Sequence, residues 1–466
     1  MKFLRTTLLG VAAGLMLAAS AIAAPLPPSS PAPPAPTFEA VQHRAFDFFW
    51  NESDPKTGLT KDRAVNLGGK PDTYVVASTA ATGYALAALP VGVSHGWVTK
   101  DAAYARALLT LRFVHDKLES NHGFYFHFLN KTDGARYWKS ELSSIDTALL
   151  LLGARAAGDY WPHTEVQTLA DDLTRRADWR WMQAADGKAP EDKTLSMGWK
   201  PETGWIDSRW QGYSEASYLY WLALGSGPHG LPPAAWDGWQ ITPATLEGRS
   251  VFGGPEPLFM AQMAPGYFDV RGKRDRQGRD WWTAWANAHL ADIAHCARNP
   301  DGLKTYAEGF WGVTACDQPP PVGYGANWPA PGHDDGTVAP TAMLAGTVFV
   351  PQQSQAALDN LWARHRAQLW GRYGFSNAFN VDKNWYDTDV IGIDLGMMLL
   401  AIENSRTGLV WRLLRTDPVA ARGLSAAGFS AAPAPGANQA ALDAVSARNV
   451  SLSSRPRKMG TKSGSK

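Results

Sequence analysis

Five carboxylates stand where apolar, helix-like stretches begin. Glu141 and Asp146 flank the start of one stretch, Glu215 lies in the first turn of the next, Asp335 precedes another and Asp394 opens the last. Carboxyl groups gathered at one place can donate and accept protons, so a pair of them could perform general acid–base chemistry. Each also has an ordinary explanation, because acids at a helix start cap free N–H groups and complement the helix dipole. That explanation suits Asp335 and Asp394 best. It suits Glu141, in Lys139-Ser140-Glu141-Leu142-Ser143-Ser144, and Glu215, in Gly212-Tyr213-Ser214-Glu215-Ala216, less well. Tyr213, Tyr218, Tyr220 and Trp221 surround Glu215, and their desolvating effect would raise its pKa toward that of a proton donor at neutral pH.

The segments between these acids carry Trp199, Trp205, Trp210, Trp311, Trp328 and Trp385, often beside Gly or Pro. Indole rings on loops can form flat platforms for the apolar faces of sugar rings, or can close a core beneath long loops. Their accumulation favours a carbohydrate cleft. Arg271 and Arg274, in Asp269-Val270-Arg271-Gly272-Lys273-Arg274-Asp275, could bind sugar hydroxyls or pair with the adjacent acids, and the second role is preferred for Arg274. A His-x-x-x-His helix, a Gly-x-Ser-x-Gly elbow and a phosphate-cradling Gly-rich loop are all missing from the sequence. His333-Asp334-Asp335 lacks the alternating oxygen ligands of a calcium loop, so no metal is expected.

Two kinds of helix must position these groups, and they tend to alternate along the chain. Val76 to Leu89, Leu142 to Ala157, Tyr213 to Leu224, Val338 to Val350 and Ile391 to Ile402 are apolar or small nearly all round and must be buried. Ala102 to Leu118, the stretch holding Val166, Leu169 and Leu173, and Gln353 to Trp370 each have one apolar stripe and one wet face. Strand-like alternation is scarce and no βαβ rhythm appears, which argues against a TIM barrel or a dinucleotide fold. The alternation predicts an all-α toroid of helical hairpins, with parallel inner helices whose N-terminal ends gather at one mouth.

The chain has 466 residues, 45% of them apolar, enough for one large core or two ordinary ones. Lys plus Arg total 44 against 43 Asp plus Glu, so there is no basic excess to hold a nucleic acid. Residues 1–23 combine Lys2 and Arg5, an apolar run and Ala21-Ile22-Ala23, the pattern of a cleaved secretory signal. Residues 24–37 read as a proline-rich linker, 38–415 as the catalytic domain and 416–466 as a flexible basic tail. After cleavage the protein is expected to be a monomer, free of the membrane, in the periplasm or outside the cell. Cys296 and Cys316 could form a disulfide or remain two buried thiols.

Six ordered motifs carry a family resemblance. Ser140 to Leu150, Met197-Gly198-Trp199-Lys200-Pro201-Glu202-Thr203-Gly204-Trp205, Gly212 to Ala216, Trp311 to Asp317, Asp335 to Ala342 and Ile402 to Gly408 resemble the bacterial glycoamylase-domain proteins. The free-standing secreted members are glycoside hydrolases of family 144, endo-β-1,2-glucanases and their relatives. The resemblance implies an (α/α)6 barrel, no cofactor, and inverting hydrolysis of β-1,2-glucan. It further implies Glu215 as general acid and Glu141 as general base, with Glu202 the rival for either role. Asp146, Trp205, Tyr213, Arg271, Trp311, Asp335 and Asp394 are the expected sugar-binding or supporting groups. Another linkage such as α-1,4, a transglycosylase, a non-catalytic glycan-binding protein and an α/α polysaccharide lyase are the competing readings.

Overall fold

The structure is a computed structural model that describes residues 34–69, 71–185 and 193–431, and the compact unit considered below begins at Ala35. The expected signal over residues 1–23 lies outside the described residues, as does most of the linker. Structure begins with helix α1, Phe38–Glu52, whose first turn is capped by Thr37 Oγ accepting from Ala40 N. The helices that follow are α2 Thr79–Ser94, α3 Lys100–Asp116, α4 Ser144–Tyr160, α5 Glu165–Arg176, α6 Ser217–Gly225, α7 Trp281–Arg298, α8 Pro340–Ala345, α9 Pro351–Leu369 and α10 Gly392–Arg406. Helices α11, Leu409–Thr416, and α12, Pro418–Ala426, end the described helical part.

The expected alternation of buried and half-buried helices is present. All nine residues of α6 are buried, as are nearly all of α2, α4 and α10, whereas α1, α3, α5, α7 and α9 bury one face each. Small residues allow the inner helices to touch. A Cβ on Gly153 of α4 would fall 1.8 Å from Gly83 O of α2, and one on Gly396 of α10 would fall 2.2 Å from Tyr84 Cγ of α2. The sixth inner position is filled by two 3-10 turns, Leu258–Ala261 and Ala264–Gly266. Gln262 Nε2 donates to Ala342 O of α8 at 2.8 Å, and Asn404 Nδ2 of α10 donates to Gly266 O at 2.8 Å, which ties this position into the ring. This is the toroid of hairpins that the sequence pattern predicts, in the (α/α)6 form that the family resemblance implies.

None of the five buried stretches enters its helix where the hydropathy begins, and α8 starts at Pro340 rather than Val338. Val76–Ser78, Leu142–Ser143 and Asp389–Ile391 are short strands, and α2, α4 and α10 start only after them. Ser78 Oγ accepts from Ala81 N and Ser143 Oγ from Asp146 N, so a serine cap rather than the apolar run fixes the first turn of α2 and α4. Residues 213–216 likewise form a turn ahead of α6, which places Glu215 before that helix rather than in its first turn.

The flexible tail expected over residues 416–466 is helical and packed in its first part, and residues 432–466 lie outside the described residues. Helix α12 packs on α6 so closely that a Cβ on Gly423 would lie 1.8 Å from Trp221 O. Arg155 of α4, 3% exposed, donates from Nε to Asp417 Oδ2 at 2.5 Å and from Nη1 to Asp171 Oδ1 at 3.1 Å. Contacts made through Gly and Ala leave no apolar periodicity to read.

Tryptophan is mainly a core residue here. Trp221, Trp236, Trp281 and Trp285 are fully buried and meet at ring separations of 5.5 to 6.2 Å. Cys296 and Cys316 are separate buried thiols. Among the described residues, no helix is long and apolar enough to cross a membrane.

Removing one partner of a buried, hydrogen-bonded ion pair strands the other charge at a cost of about 3–5 kcal/mol. Asp417→Ala is therefore expected to destabilise the fold by about 3–5 kcal/mol in urea unfolding, a loss too large for a residue in a detached tail.

Candidate active site

A cavity of about 800 Å³ opens where inner helices begin. Its wall includes Asp146 from the first turn of α4, Glu215 from the turn before α6, Asp394 from the first turn of α10, and Asp62. Three inner helices thus deliver their N-terminal ends to one space, as the hairpin ring requires. Tyr74, Phe128, Trp138, Tyr218, Phe259 and Tyr324 line it as well, with Arg63 and His127 as its basic residues. Most of the surface is apolar, and the polar groups converge from a few points, the usual composition of a ligand site.

The carboxyl groups differ in electrostatic setting. Burial pushes Glu215 up to about 7; its own backbone N–H draws it down, while Asp146 and Glu256 raise it further. Burial also lifts Asp394 to about 7, against a hydrogen bond at 2.6 Å from Asn377 Nδ2. Asp146 is raised chiefly by burial, and His127 and the Ser143 hydroxyl, which donates at 2.5 Å, pull it back. Asp62 is raised by burial and restrained by Arg63 and His127.

His127 is a centre that the sequence reading did not single out. Its Nδ1 lies 3.0 Å from Glu141 Oε1 and its Nε2 3.5 Å from Asp146 Oδ1. Burial works against the protonated ring, but Asp146, Glu141 and Asp62 outweigh it and lift His127 to about 9. It is a fixed cation between two acids at neutral pH. Glu141 is held below its usual range: burial raises it, and the bond and charge of His127 more than reverse that. Glu141, expected as the base, does not line the cavity; it reaches the cavity only through His127.

Glu202, the rival, stands elsewhere. It is 45% exposed and receives two hydrogen bonds from Arg136, at 2.6 and 3.0 Å. A long exposed carboxylate in a hairpin turn finds a guanidinium before it finds a pocket.

Asp335, expected near the sugar, pairs with Lys383 and accepts from Thr337 N at 3.0 Å, and Ala339 rather than Asp335 is the N-cap of α8. Arg271 binds Asp269 through Nε at 2.8 Å and stacks on Trp411 at 4.4 Å, so it is spent on neighbours away from the cavity. Trp311 is buried in the core, Trp205 packs on Trp181 at 4.5 Å, and Tyr213 sits behind the wall, donating to Met260 O at 3.4 Å. Of the residues expected to bind sugar, Asp146 and Asp394 line the cavity.

The six loop tryptophans do not line this cavity, whereas Tyr74, Trp138 and Tyr324 do, with Trp138 61% exposed. A signal for Trp138 existed in the run Tyr137-Trp138-Lys139, an aromatic pair followed by a lysine just before Glu141. Among the described residues, no group of three or more His, Cys, Asp or Glu is arranged to hold a metal ion.

The chain resembles several known proteins. The Glycoamylase family, described as "Putative glucoamylase", matches residues 207–418. An exo β-1,2-glucooligosaccharide sophorohydrolase (non-reducing end) of Parabacteroides distasonis is 26% identical over 422 residues, 83% of this chain and 57% of that protein. The chain thus spans little more than half the length of that curated relative. A solved "putative glucoamylase" from Bacteroides caccae is 30% identical with a TM-score of 0.78, covering 84% of this chain and 98% of its own. An endo-β-1,2-glucanase of Chitinophaga pinensis, solved with sophorotriose and glucose, is 26% identical with a TM-score of 0.77, over 84% of this chain and 97% of its own.

The His127 arrangement has a measurable pH signature. Its folded pKa of about 9 lies above the ordinary 6.5, so its contribution to stability is complete below 6.5 and is lost as pH rises through about 9. Glu141→Gln removes one of the two acids; proton NMR of the ring should show the His127 pKa fall, and thermal unfolding should show a shallower loss of stability across that pH range.

Proposed function

The chain belongs to the Glycoamylase family, and on that premise we propose that it is a glycoside hydrolase acting on β-1,2-linked glucan. The observation that carries the proposal is the cavity itself, where three inner helices present Asp146, Glu215 and Asp394 among aromatic side chains. Its relatives include a sophorohydrolase and an endo-β-1,2-glucanase. Four carboxyl groups against Arg63 and His127 also suit a neutral polyol and the positive charge that develops at an anomeric carbon. The same balance disfavours a uronic acid, and with it the lyase reading.

Glu215 is the general acid. With a pKa near 7 it retains its proton in mildly acidic to neutral solution and gives it to the leaving glycosidic oxygen as the bond to the anomeric carbon breaks. Asp146 is the base in place of Glu141. Protonated His127 and the Ser143 hydroxyl favour its ionised form, which takes a proton from the water whose oxygen bonds to that carbon. Inversion with a water between the two groups needs a carboxyl separation of roughly 6.5–9.5 Å. Glu141 is a positioning residue: it orients His127 and holds its charge. Asp394, with one oxygen bound by Asn377, binds sugar hydroxyls. Export to the periplasm or medium follows from the leader-like residues 1–23.

Incubation with linear β-1,2-glucan and with soluble starch tests the linkage; reducing sugar from starch alone would overturn it. NMR of the first product should show the inverted anomer. Glu215→Gln and Asp146→Asn are each expected to lower kcat by about 10²–10⁴-fold, and Glu202→Gln by less than about twofold. The alkaline limb of the pH–rate profile should fall near 7, where Glu215 loses its proton. A flat profile across that limb would remove Glu215 as the donor.

A further inference from the structure

Among the described residues the large apolar side chains left exposed are Val75, Trp138, Val322 and Tyr324. They are not scattered. Trp138 and Tyr324 line the main cavity, and Val322 lies in the turn of the hairpin, Ala315–Gln318 with Gly323–Ala326, that carries Tyr324. Val75 and Trp138 line a second hollow of about 360 Å³. Single exposed apolar residues need no explanation, but a set of them around two adjoining hollows implies something that covers them.

The two hollows share Arg63, Tyr74 and Trp138, which form a wall with one space on either side. The second hollow adds Asp72, Val75, Tyr137 and Asp389. The wall is held from within. Arg63 donates to both oxygens of Asp317, at 2.9 and 3.3 Å, and the Tyr74 hydroxyl donates to Asp62 at 3.4 Å. Asp72 accepts from Lys61 Nζ at 2.9 Å and from the backbone N–H groups of Tyr74 and Val65, at 3.0 and 3.2 Å. Trp138 and Lys139 both adopt positive φ, 49° and 51°, a conformation that residues other than glycine rarely take. The indole it carries meets Phe128 and Tyr137 edge-on, at 5.1 and 5.2 Å, and remains 61% exposed at the crest between the hollows.

We propose that the second hollow is a glucan subsite, in which a chain held in the main cavity crosses Trp138 and seats its next sugar units. The inference rests on the reading of the main cavity as a glucan site. The ligand class follows from the lining: Trp138, Tyr137 and Val75 offer apolar surface for ring faces, and the Asp389 carboxylate offers a partner for hydroxyls. Asp72 is paired with Lys61 and Arg63 with Asp317, which leaves the Asp389 carboxylate, so the hollow favours neutral hydroxyl-bearing units over anionic ones. Its consequence is a preference for chains long enough to bridge the wall.

Val75 lines the second hollow and not the main cavity, so Val75→Arg obstructs one and leaves the wall of the other in place. The measurement is kcat/KM on β-1,2-gluco-oligosaccharides of increasing length, with matched thermal unfolding to verify the fold. The ratio of long-chain to short-chain kcat/KM is expected to fall about tenfold in Val75→Arg, through KM, corresponding to about 1.4 kcal/mol of binding. An unchanged ratio overturns the subsite while leaving the hydrolase reading intact. Calorimetry of the same oligosaccharides with Glu215→Gln provides the complementary arm. Length-dependent binding that Val75→Arg abolishes, with no turnover by the parent protein, supports the subsite and removes the hydrolase. No binding at any length removes both.

Discussion

The structure depends on the need to bury carboxyl groups without burying their full charge. Asp146, Glu215 and Asp394 are held at the N-terminal ends of inner helices, in a space walled mostly by apolar and aromatic side chains. Such a wall alone would leave all three neutral, and a fully solvated cleft would leave all three ionised. Burial raises all three, and different groups oppose it at each acid: a backbone N–H at Glu215, Asn377 at Asp394, and the Ser143 hydroxyl with the cation of His127 at Asp146.

The hairpin ring makes this possible because parallel inner helices converge at one end. Close packing through Gly83, Gly153 and Gly396 brings their starts near enough to share a cavity, and the short strands ahead of α2, α4 and α10 form its shoulders. The bulky tryptophans serve the opposite purpose. Trp221, Trp236, Trp281 and Trp285 are fully buried and fill the space around α6 and α7.

His127 gives the arrangement its asymmetry. One ring nitrogen faces Glu141 and the other Asp146, so a single imidazolium couples an acid outside the cavity wall to one inside it. Glu141 thereby acts on the charge of the cavity without lining it. It also separates Glu141 from Glu202, which lies at the end of a solvated ion pair with Arg136.

The sequence by itself determined the class of fold. Helices apolar on every side must be inside and helices with one wet face must be outside, and that rule is independent of where any residue ends up in space. The carboxylates at the starts of the buried stretches, Asp146, Glu215 and Asp394 among them, were legible for the same reason. Tertiary structure alone decided which acids meet. Glu141 and Glu202 look as promising as Glu215 along the chain, but the side-chain direction after Ser140 turns Glu141 toward His127, and Arg136 captures Glu202. The distinction between a tryptophan in the core and one at the rim is likewise invisible in composition, because the same indole serves both. The α12 helix was missed because Gly423 and Ala420 pack by closeness, and small residues carry almost no hydropathy signal until the neighbouring backbone is in place.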